Sequence, residues 1–310
     1  MIRILSFLLA VLLCAGCAST DDTVSLPTNE DSTLPAQASP TAVGQKVFYG
    51  EAGGDSLTGL CALPPMEYTV SDPHNTANLS ETAIDHYFGK AENEEVHRYS
   101  RSFQEGFDNK KADAVVYDTR TDKKRIYLTF DCGYENGNTA KILDTLKEKQ
   151  VPAAFFCTLH EVESEPDLIA RMINEGHIVG NHSVTHADFS QISRTQMAEE
   201  IVGFDTHLRE NFGYSSLFFR FPEGRYNDNA INLANSLGFT CVFWSAAYSD
   251  WDTAKQKGAS HAFEQVTKQL HPGMILLLHS VSSDNAAAMG DIIDYARNNG
   301  YEFCSLEELF

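Results

Sequence analysis

The strongest constraint on the fold is a regular alternation of short β-rich runs with helical patterns, which begins at residue 125 and continues to the C-terminus. The predicted strands are residues 126–130, 153–158, 177–180, 217–220, 239–245, 274–279 and 301–304. Helical patterns fill the gaps, notably at residues 195–212, 231–237, 261–270 and 286–298. Strict alternation of this kind is typical of parallel strands joined by crossover helices. The sequence therefore predicts an α/β domain over residues 125–310.

The polar residues that follow the predicted strands distinguish an open sheet from a barrel. In an open doubly wound sheet, the site gathers at one switch point beside one or two strand ends. Here polar candidates follow the first, third, fourth, fifth and sixth strands. Only a closed ring brings so many strand ends around one pocket. With seven strand candidates, the prediction is an incomplete, distorted parallel β/α barrel.

Residues 1–17 have the pattern of a targeting segment. Arg3 supplies a positive charge, residues 4–13 form an apolar run, and a Cys14-Ala15-Gly16-Cys17 stretch closes the segment. The apolar run is short for a bilayer span. Small residues before Cys17 resemble a bacterial lipoprotein signal, although Cys14 stands where Leu is usual. A lipid on Cys17 would anchor the protein outside the cell membrane; simple secretion and a retained anchor are the alternatives.

The stretch between the targeting segment and the barrel divides in two. Residues 18–45 are rich in Ser, Thr, Asp, Pro and Ala, with almost nothing to bury, so a disordered tether is predicted. Residues 46–124 form an N-terminal extension of unknown role, in which a short helix at residues 80–88 and a strand at 115–117 are expected.

Charge and cysteine usage exclude two classes of protein. The 310 residues carry a formal net charge of −20, spread along the chain, whereas nucleic-acid binders carry clustered Lys and Arg. No nucleic-acid partner is therefore expected. The cysteines after Cys17 are odd in number and scattered, which does not fit a disulfide framework.

Short motifs stand at five of the predicted strand ends. They are Thr129-Phe130-Asp131-Cys132, His182-Ser183-Val184-Thr185-His186, Arg220-Phe221-Pro222-Glu223-Gly224, Ser249-Asp250-Trp251 and Leu277-Leu278-His279. Singly, each has an ordinary structural explanation, because a strand-terminal Asp often caps a helix and a His after an apolar strand is usually a core residue. Together, in this order, they resemble the five motifs of the NodB-type polysaccharide deacetylases, or carbohydrate esterase family 4. The resemblance covers roughly residues 120–310.

Within that family the chain resembles the peptidoglycan deacetylases that prepare muramic δ-lactam in spore cortex. The resemblance extends through residues 131–137, 243–251 and 271–273 to Asp284-Asn285. It implies that the substrate is N-acetylmuramic acid already stripped of its peptide. The free amine then closes onto the lactyl carboxylate.

The resemblance also implies the parts that amide hydrolysis needs. His182 and His186 would hold a divalent metal, with zinc favoured over magnesium, manganese or cobalt, which acts as a Lewis acid. Asp131 would be the general base, held by a bidentate contact from Arg220. His279 would be the general acid that protonates the leaving amine.

Further residues would support the reacting groups. Asp250 would orient His279 and keep it protonated. The backbone N–H near Glu223 would share the negative charge that develops on oxygen. Leu277 and Trp251 would wall the acetyl methyl group.

Cys132 departs from the commoner family pattern, which has an Asp there as a third metal ligand. Three interpretations stay open: a thiolate ligand, a non-ligand with water completing the metal's shell, and a redox-sensitive thiol. The lactam-pathway relatives often lack the Asp as well.

The predicted function is metal-dependent N-deacetylation of peptidoglycan by a monomer that contacts glycan strands and is anchored in the membrane by lipid. Alternatives within the family are N-acetylglucosamine in peptidoglycan, chitin-like oligomers and O-acetylated xylan. An acid pair of His279 with Asp250 favours an amide, because amines leave poorly unless protonated. An inactive wall-binding lipoprotein is the alternative from a different class.

Overall fold

The computed structural model describes residues 45–310, so the predicted targeting segment, Cys17 and residues 18–44 of the predicted tether lie outside the described residues. Within residues 45–310 the strands are β1 (Val47–Tyr49), β2 (Ile84–Asp85), β3 (Ala114–Val115), β4 (Arg125–Cys132), β5 (Ala153–Cys157), β6 (Ile178–Asn181), β7 (Tyr214–Ser216), β8 (Phe218–Phe219), β9 (Arg225–Tyr226), β10 (Thr240–Val242), β11 (Met274–His279) and β12 (Glu302–Phe303). The α-helices over the same range are α1 (Arg98–Lys110), α2 (Thr139–Lys149), α3 (Leu159–Ser164), α4 (Pro166–Asn174), α5 (Arg194–Phe212), α6 (Asp228–Ser236), α7 (Ala259–Thr267) and α8 (Ser283–Asn298). None of these helices is long and apolar enough to cross a membrane.

One curled sheet of parallel strands organises the fold. Its order is β11-β4-β5-β6-β8-β10-β3, and β12 pairs with the first residues of β4. Each of the seven strands predicted from the sequence lies in this sheet. The short strand β3 joins it from the N-terminal extension, alongside β10.

The curled sheet is an incomplete barrel, because its closure rests on little pairing in residues 45–310. Residues just beyond β10 reach β11 through a parallel bridge between Ala246 and Leu276. The Leu277 N–H donates to the Ala246 carbonyl at 2.9 Å, and the Ser245 N–H donates to the Ile275 carbonyl at 3.0 Å. The predicted incomplete parallel β/α barrel is therefore confirmed.

The N-terminal extension packs onto the barrel at several places. Strand β1 pairs antiparallel with β7, and β2 pairs antiparallel with β9. The helix predicted at residues 80–88 is wrong, because Ile84 and Asp85 form β2 instead. Helix α1 was not predicted from the sequence. It follows His97, whose ring accepts a hydrogen bond from the Tyr99 N–H.

The extension also reaches the barrel interior. His86 is buried, and its Nε2 lies 2.8 Å from the Trp244 carbonyl oxygen. The His86 ring packs edge-on against the Trp244 indole, with ring centroids 4.8 Å apart. A Cβ on Gly224 would lie 2.6 Å from the same indole, so this close approach requires glycine at residue 224.

Candidate active site

A pocket of about 460 Å³ opens where the carboxyl ends of β4, β5, β6 and β11 converge. Five residues singled out in the sequence line it: Asp131, His182, His186, Trp251 and His279. The carboxyl ends of parallel strands meet at one end of a β/α barrel, and this is where such folds place their chemistry. The pocket is therefore the candidate active site.

The deepest ion pair at the pocket joins Asp131 to Arg220. Asp131 is the penultimate residue of β4 and lines the pocket, and its Oδ1 accepts from Arg220 Nη1 at 2.8 Å. Arg220 is fully buried and is held by Thr129 Oγ1 at 3.0 Å and by the Val242 carbonyl oxygen at 2.9 Å. Its guanidinium lies 4.1 Å from the Phe156 ring centroid. The predicted bidentate contact is wrong, because the other guanidinium nitrogens bond to backbone carbonyls.

The surroundings of Asp131 favour its ionised form. Its burial alone would raise the pKa of the carboxyl group, but the charge of Arg220 makes the largest opposing contribution, and the pKa is lowered. The carboxylate is therefore ionised at neutral pH. An ionised carboxylate inside a pocket can accept a proton from a bound water molecule.

His182 presents one defined ring nitrogen to the pocket. Its Nδ1 lies 2.9 Å from the Arg220 carbonyl oxygen, so Nδ1 carries the hydrogen and Nε2 keeps its lone pair. Nε2 lies 3.7 Å from Asp131 Oδ2. Burial lowers the pKa of His182 to about 4, against the opposing charge of Asp131, and this keeps the imidazole neutral.

His186 returns to the same place through a tight turn after β6. Its backbone N–H donates to Ser183 Oγ at 2.9 Å, and both residues have positive φ, 72° at Ser183 and 58° at His186. The His182 and His186 ring centroids are 5.0 Å apart. The two imidazoles therefore face one volume, although they belong to a turn and not to a helix.

The donor chemistry of this pair suits a divalent metal. A ligating His almost always donates its other ring N–H to a carbonyl or carboxylate, as His182 does to the Arg220 carbonyl. No group of three His, Cys, Asp or Glu side chains in residues 45–310 is arranged to hold a metal ion. Within residues 45–310, the pocket therefore offers two imidazoles that could hold a metal ion, those of His182 and His186.

Cys132 does not join this pair. Successive side chains of a strand point to opposite faces, so Cys132 points away from the pocket that Asp131 faces. It is fully buried in the hydrophobic core and lies in register with Cys157 of β5. Burial, followed by the neighbouring Cys132, raises the pKa of the Cys157 thiol well above its usual range. The structure therefore places the Cys132 thiol beside another thiol and outside the pocket lining.

His279 and Asp250 form the second acid–base pair. His279 Nδ1 lies 2.7 Å from Asp250 Oδ1, and the His279 N–H donates to Asp250 Oδ2 at 2.8 Å. Burial alone would lower the pKa of His279, but the hydrogen bond and charge of Asp250 outweigh burial and raise it. Since Nδ1 is engaged, Nε2 is the ring nitrogen left to carry a proton towards the pocket.

The three predicted substrate-contacting residues lie in different surroundings. The Trp251 ring centroid is 5.9 Å from that of His279, and the residue is 56% exposed at the pocket rim. Leu277 is buried, pairs with Thr129 and does not line the pocket, because it lies two residues before His279 on β11, further from the strand end. Glu223 also lies outside the lining; its φ of 58° turns the chain, and its carboxylate is 3.5 Å from Arg225.

Several pocket residues carry no signal in the five motifs or were not singled out within them. They are Tyr134, Thr158, His160, Thr185 and Val281. Thr158 and His160 follow β5, one of the two predicted strands that had no polar motif assigned to their ends. Their position one and three residues after a buried strand was the available signal, because every strand of a closed barrel ends at the same rim.

Glu161, in α3, is a buried carboxyl group that has no side-chain hydrogen-bond partner in the described part of the chain. Thr158 caps α3 and accepts from the Glu161 N–H, but the Thr158 N–H donates to the Cys132 carbonyl, so Glu161 cannot complete a capping box. Neither of its carboxyl oxygens has a hydrogen-bond partner within residues 45–310. Burial, followed by the charges of Glu135 and Glu165, raises the pKa of Glu161 to about 7.

This raised pKa predicts a specific pH dependence of stability. The folded state holds the Glu161 proton more tightly than the unfolded chain, so its contribution is greatest at acidic pH and is lost as pH rises through about 7. We expect Glu161→Gln to be more stable than wild type at pH 8 by about 1–3 kcal/mol, and close to wild type at pH 5, at about 1.4 kcal/mol per pKa unit. Urea unfolding at both pH values measures this, with the exposed Glu163→Gln as the matched control. Equal gains at both pH values would contradict the assignment.

Comparisons with known proteins agree with this geometry. The polysaccharide deacetylase family model matches residues 118–242. Peptidoglycan-N-acetylmuramic acid deacetylase PdaA of Bacillus subtilis is 43% identical over 196 residues, which are 63% of this chain and 74% of that protein. A peptidoglycan-N-acetylglucosamine deacetylase of Bacillus cereus is 31% identical over 201 residues, covering 64% of this chain and 72% of that protein. The solved structure of PdaA, a family 4 carbohydrate esterase, has a TM-score of 0.71 at 38% identity and covers 74% of this chain and 98% of that chain.

Strand ends that converge on an ionised carboxylate and a protonatable imidazole define a hydrolase built on an incomplete β/α barrel. This chain belongs to the polysaccharide deacetylase family, the NodB-type deacetylases of carbohydrate esterase family 4. The prediction from the five motifs is thereby confirmed, and so is the prediction that the protein is a deacetylase.

Proposed function

We propose that this protein hydrolyses the N-acetyl group of N-acetylmuramic acid in peptidoglycan, with a divalent metal as cofactor, and so prepares muramic δ-lactam. The observation that carries the chemistry is the pairing of an ionised base, Asp131 with Arg220, and a protonatable acid, His279 with Asp250, around one pocket. The sugar is supported by the likeness to PdaA, which is named for N-acetylmuramic acid.

In the proposed reaction, Asp131 takes one proton from the attacking water while the water oxygen bonds to the acetyl carbonyl carbon. Arg220 keeps the carboxylate in place and ionised. His279 then donates its proton to the amide nitrogen, the C–N bond breaks, and acetate and the free amine are released. Asp250 orients the imidazole and stabilises its protonated form.

We propose that His182 and His186 are the protein's metal ligands, without Cys132. A divalent metal bound there supplies Lewis acidity to the acetyl carbonyl and lowers the pKa of water. Zinc suits two imidazoles better than magnesium does, because magnesium prefers oxygen ligands.

Zinc titration of metal-free protein tests this ligand set. Cys132→Ser should bind zinc within about tenfold of wild type, a difference under about 1.4 kcal/mol, because the side chain lies in the core. His186→Ala is the comparison variant and should lose far more zinc affinity than Cys132→Ser does. Cys132→Asp should destabilise the fold and supply no ligand, because it buries a carboxylate beside Cys157. If Cys132→Ser binds zinc more than tenfold more weakly than wild type does, Cys132 is a ligand.

The substrate proposal predicts an order of wall processing. While the stem peptide is attached, the lactyl carboxylate is an amide and lacks its charge. We expect deacetylation of amidase-treated glycan to be at least about tenfold faster than that of intact peptidoglycan, the effect of roughly 1.4 kcal/mol. Acetate release from both substrates measures it, and comparable rates would count against muramic acid as the target.

The main rival is N-acetylglucosamine, the sugar named for the Bacillus cereus relative. Mass spectrometry of muropeptides from a strain lacking this protein separates the two. Loss of muramic lactam points to muramic acid, whereas newly acetylated glucosamine points to the rival. No change in either product would favour an inactive wall-binding role.

The proposed substrate places the enzyme outside the cytoplasm. We propose a lipoprotein in which Cys17 is the anchor, residues 18–45 are the tether, residues 46–124 are the extension and residues 125–310 are the catalytic domain. If the proposal is correct, Cys17→Ala leaves the membrane fraction or fails to mature. Identical fractionation of wild type and variant would refute the anchor.

A further inference from the structure

Asn285, at the start of α8, contacts the acid pair without lining the pocket. It is fully buried, and its Nδ2 donates to Asp250 Oδ2 at 2.6 Å and to the His279 carbonyl oxygen at 3.1 Å. Both partners can only accept, so they fix which end of the amide is the nitrogen. Its Oδ1 accepts from the Tyr248 hydroxyl at 2.5 Å.

These bonds leave the Asp250 carboxylate with a single orientation. Oδ1 faces His279 Nδ1, while Oδ2 accepts from the His279 N–H and from Asn285. Gln256 Nε2 holds the Asp250 carbonyl oxygen at 3.0 Å, and Gln256 Oε1 accepts from Ser282 Oγ at 2.7 Å. The first turn of α8 and its cap therefore hold the loop that carries Asp250.

Asparagine is the residue that this position requires. An Asp at residue 285 would place a second carboxylate within hydrogen-bonding distance of Asp250, and like charges that close cannot both stay ionised. An apolar residue would remove the acceptor of the Tyr248 hydroxyl and one of the two hydrogen bonds that Asp250 Oδ2 accepts.

We propose that Asn285 is a positioning residue for the reaction, which holds Asp250 so that Asp250 orients the His279 imidazole, and that Tyr248 in turn holds Asn285. This chain of contacts runs Tyr248, Asn285, Asp250, His279. It rests on the proposed function of His279 as the general acid. A group that acts through His279 affects the chemical step and leaves substrate binding unchanged, because Asn285 does not line the pocket.

Steady-state kinetics of the full-length, zinc-loaded protein on amidase-treated glycan tests the proposal. Asn285→Ala should lower kcat about 10–100-fold, the usual loss for a residue that orients a reacting group from behind. Its KM should stay within about twofold, well below the factor of ten that 1.4 kcal/mol of lost binding would produce. Tyr248→Phe, which removes only a hydroxyl group, should lower kcat about 2–10-fold, as expected for one hydrogen bond. An unchanged kcat in Tyr248→Phe and Asn285→Ala, or a rise in KM in place of a fall in kcat, would overturn the proposal.

A double-mutant cycle with Asp250→Asn separates positioning from a general effect on the fold. If Asn285 acts through Asp250, adding Asn285→Ala to Asp250→Asn should cost less than about twofold further, since coupled substitutions are not additive. Full additivity would overturn the proposal. Asn229→Ala is the matched control: Asn229 is buried and bonds to Arg194, so its loss should lower the melting temperature and leave kcat unchanged.

His279→Ala, measured alongside, distinguishes failure of this inference from failure of the proposed function. If His279→Ala keeps its activity, His279 is not the general acid, and the proposed positioning role of Asn285 fails with it. If His279→Ala is inactive while Asn285→Ala and Tyr248→Phe are fully active, only the positioning role of Asn285 is refuted.

Discussion

Asp131→Asn is expected to lower kcat by at least about 100-fold and up to about 10⁴-fold, the range that general-base catalysis supplies. Asn has the shape of Asp, and its Oδ1 can still accept the 2.8 Å hydrogen bond from Arg220, so the fold should persist. What disappears is the negative charge that takes the proton from water. Acetate release from amidase-treated glycan, normalised to folded protein by circular dichroism, measures the loss.

Asp205→Asn is the matched control for this experiment. Asp205 is also buried and accepts from an arginine, Arg209, at 2.5 Å, but it belongs to α5 and does not line the pocket. Its substitution should reduce stability and leave turnover per folded molecule unchanged. If Asp131→Asn retains more than about a hundredth of wild-type activity, the base assignment is wrong, because the lower bound for general-base catalysis is not met.

Arg220→Met should have the largest combined effect on stability and activity. Its side chain is fully buried and donates to Asp131, Thr129 and the carbonyls of Val242 and Phe243. Removing one partner of a buried ion pair typically costs about 3–5 kcal/mol, because the other charge stays buried and unpaired. Activity should fall as well, since Asp131 loses the contact that keeps it ionised and in place. Urea unfolding and acetate release measure the two effects.

Two further variants make this prediction specific. Arg194→Met also removes a buried arginine, but one that bonds to Asn229, Asn232 and the Ser71 carbonyl and has no carboxylate partner among its hydrogen bonds. It should lose stability and keep turnover. Arg220→Lys should remain impaired, because one ammonium group cannot reach the four acceptors that the guanidinium spans. Wild-type turnover in Arg220→Lys would show that only a positive charge is needed there.

The order of elements was readable from the sequence because buried parallel strands leave continuous apolar runs. The seven predicted strands all lie in the barrel sheet, although β5, β8, β10 and β12 are shorter than predicted. The extension was not readable in the same way. Only the strand expected at residues 115–117 has a counterpart there, β3, displaced by one residue and shorter. Strands β1 and β2 have three and two residues and gain their hydrogen bonds from distant strands, so they have no local periodicity to detect.

In the candidate site, too, some features could be predicted from the sequence and others could not. Asp131, His182, His186 and His279 follow predicted strands, and barrel geometry alone brings such positions to one rim, so their convergence could be predicted. The direction of Cys132 could not. The predicted strand ended at Phe130, whereas β4 continues to Cys132, and this added length keeps the alternation that turns the thiol into the core.

By itself, the sequence determined the fold class, the strands that carry the chemistry and the residue types at their ends, because these depend on local periodicity and on the topology of parallel strands. Only the tertiary structure decided how the groups are held. The single contact from Arg220 to Asp131, the burial of Glu161 and the bond from Asn285 to Asp250 join residues far apart in the chain or depend on what packs around them. Burial and hydrogen-bond geometry at such contacts arise from packing between elements, and no sequence pattern records them.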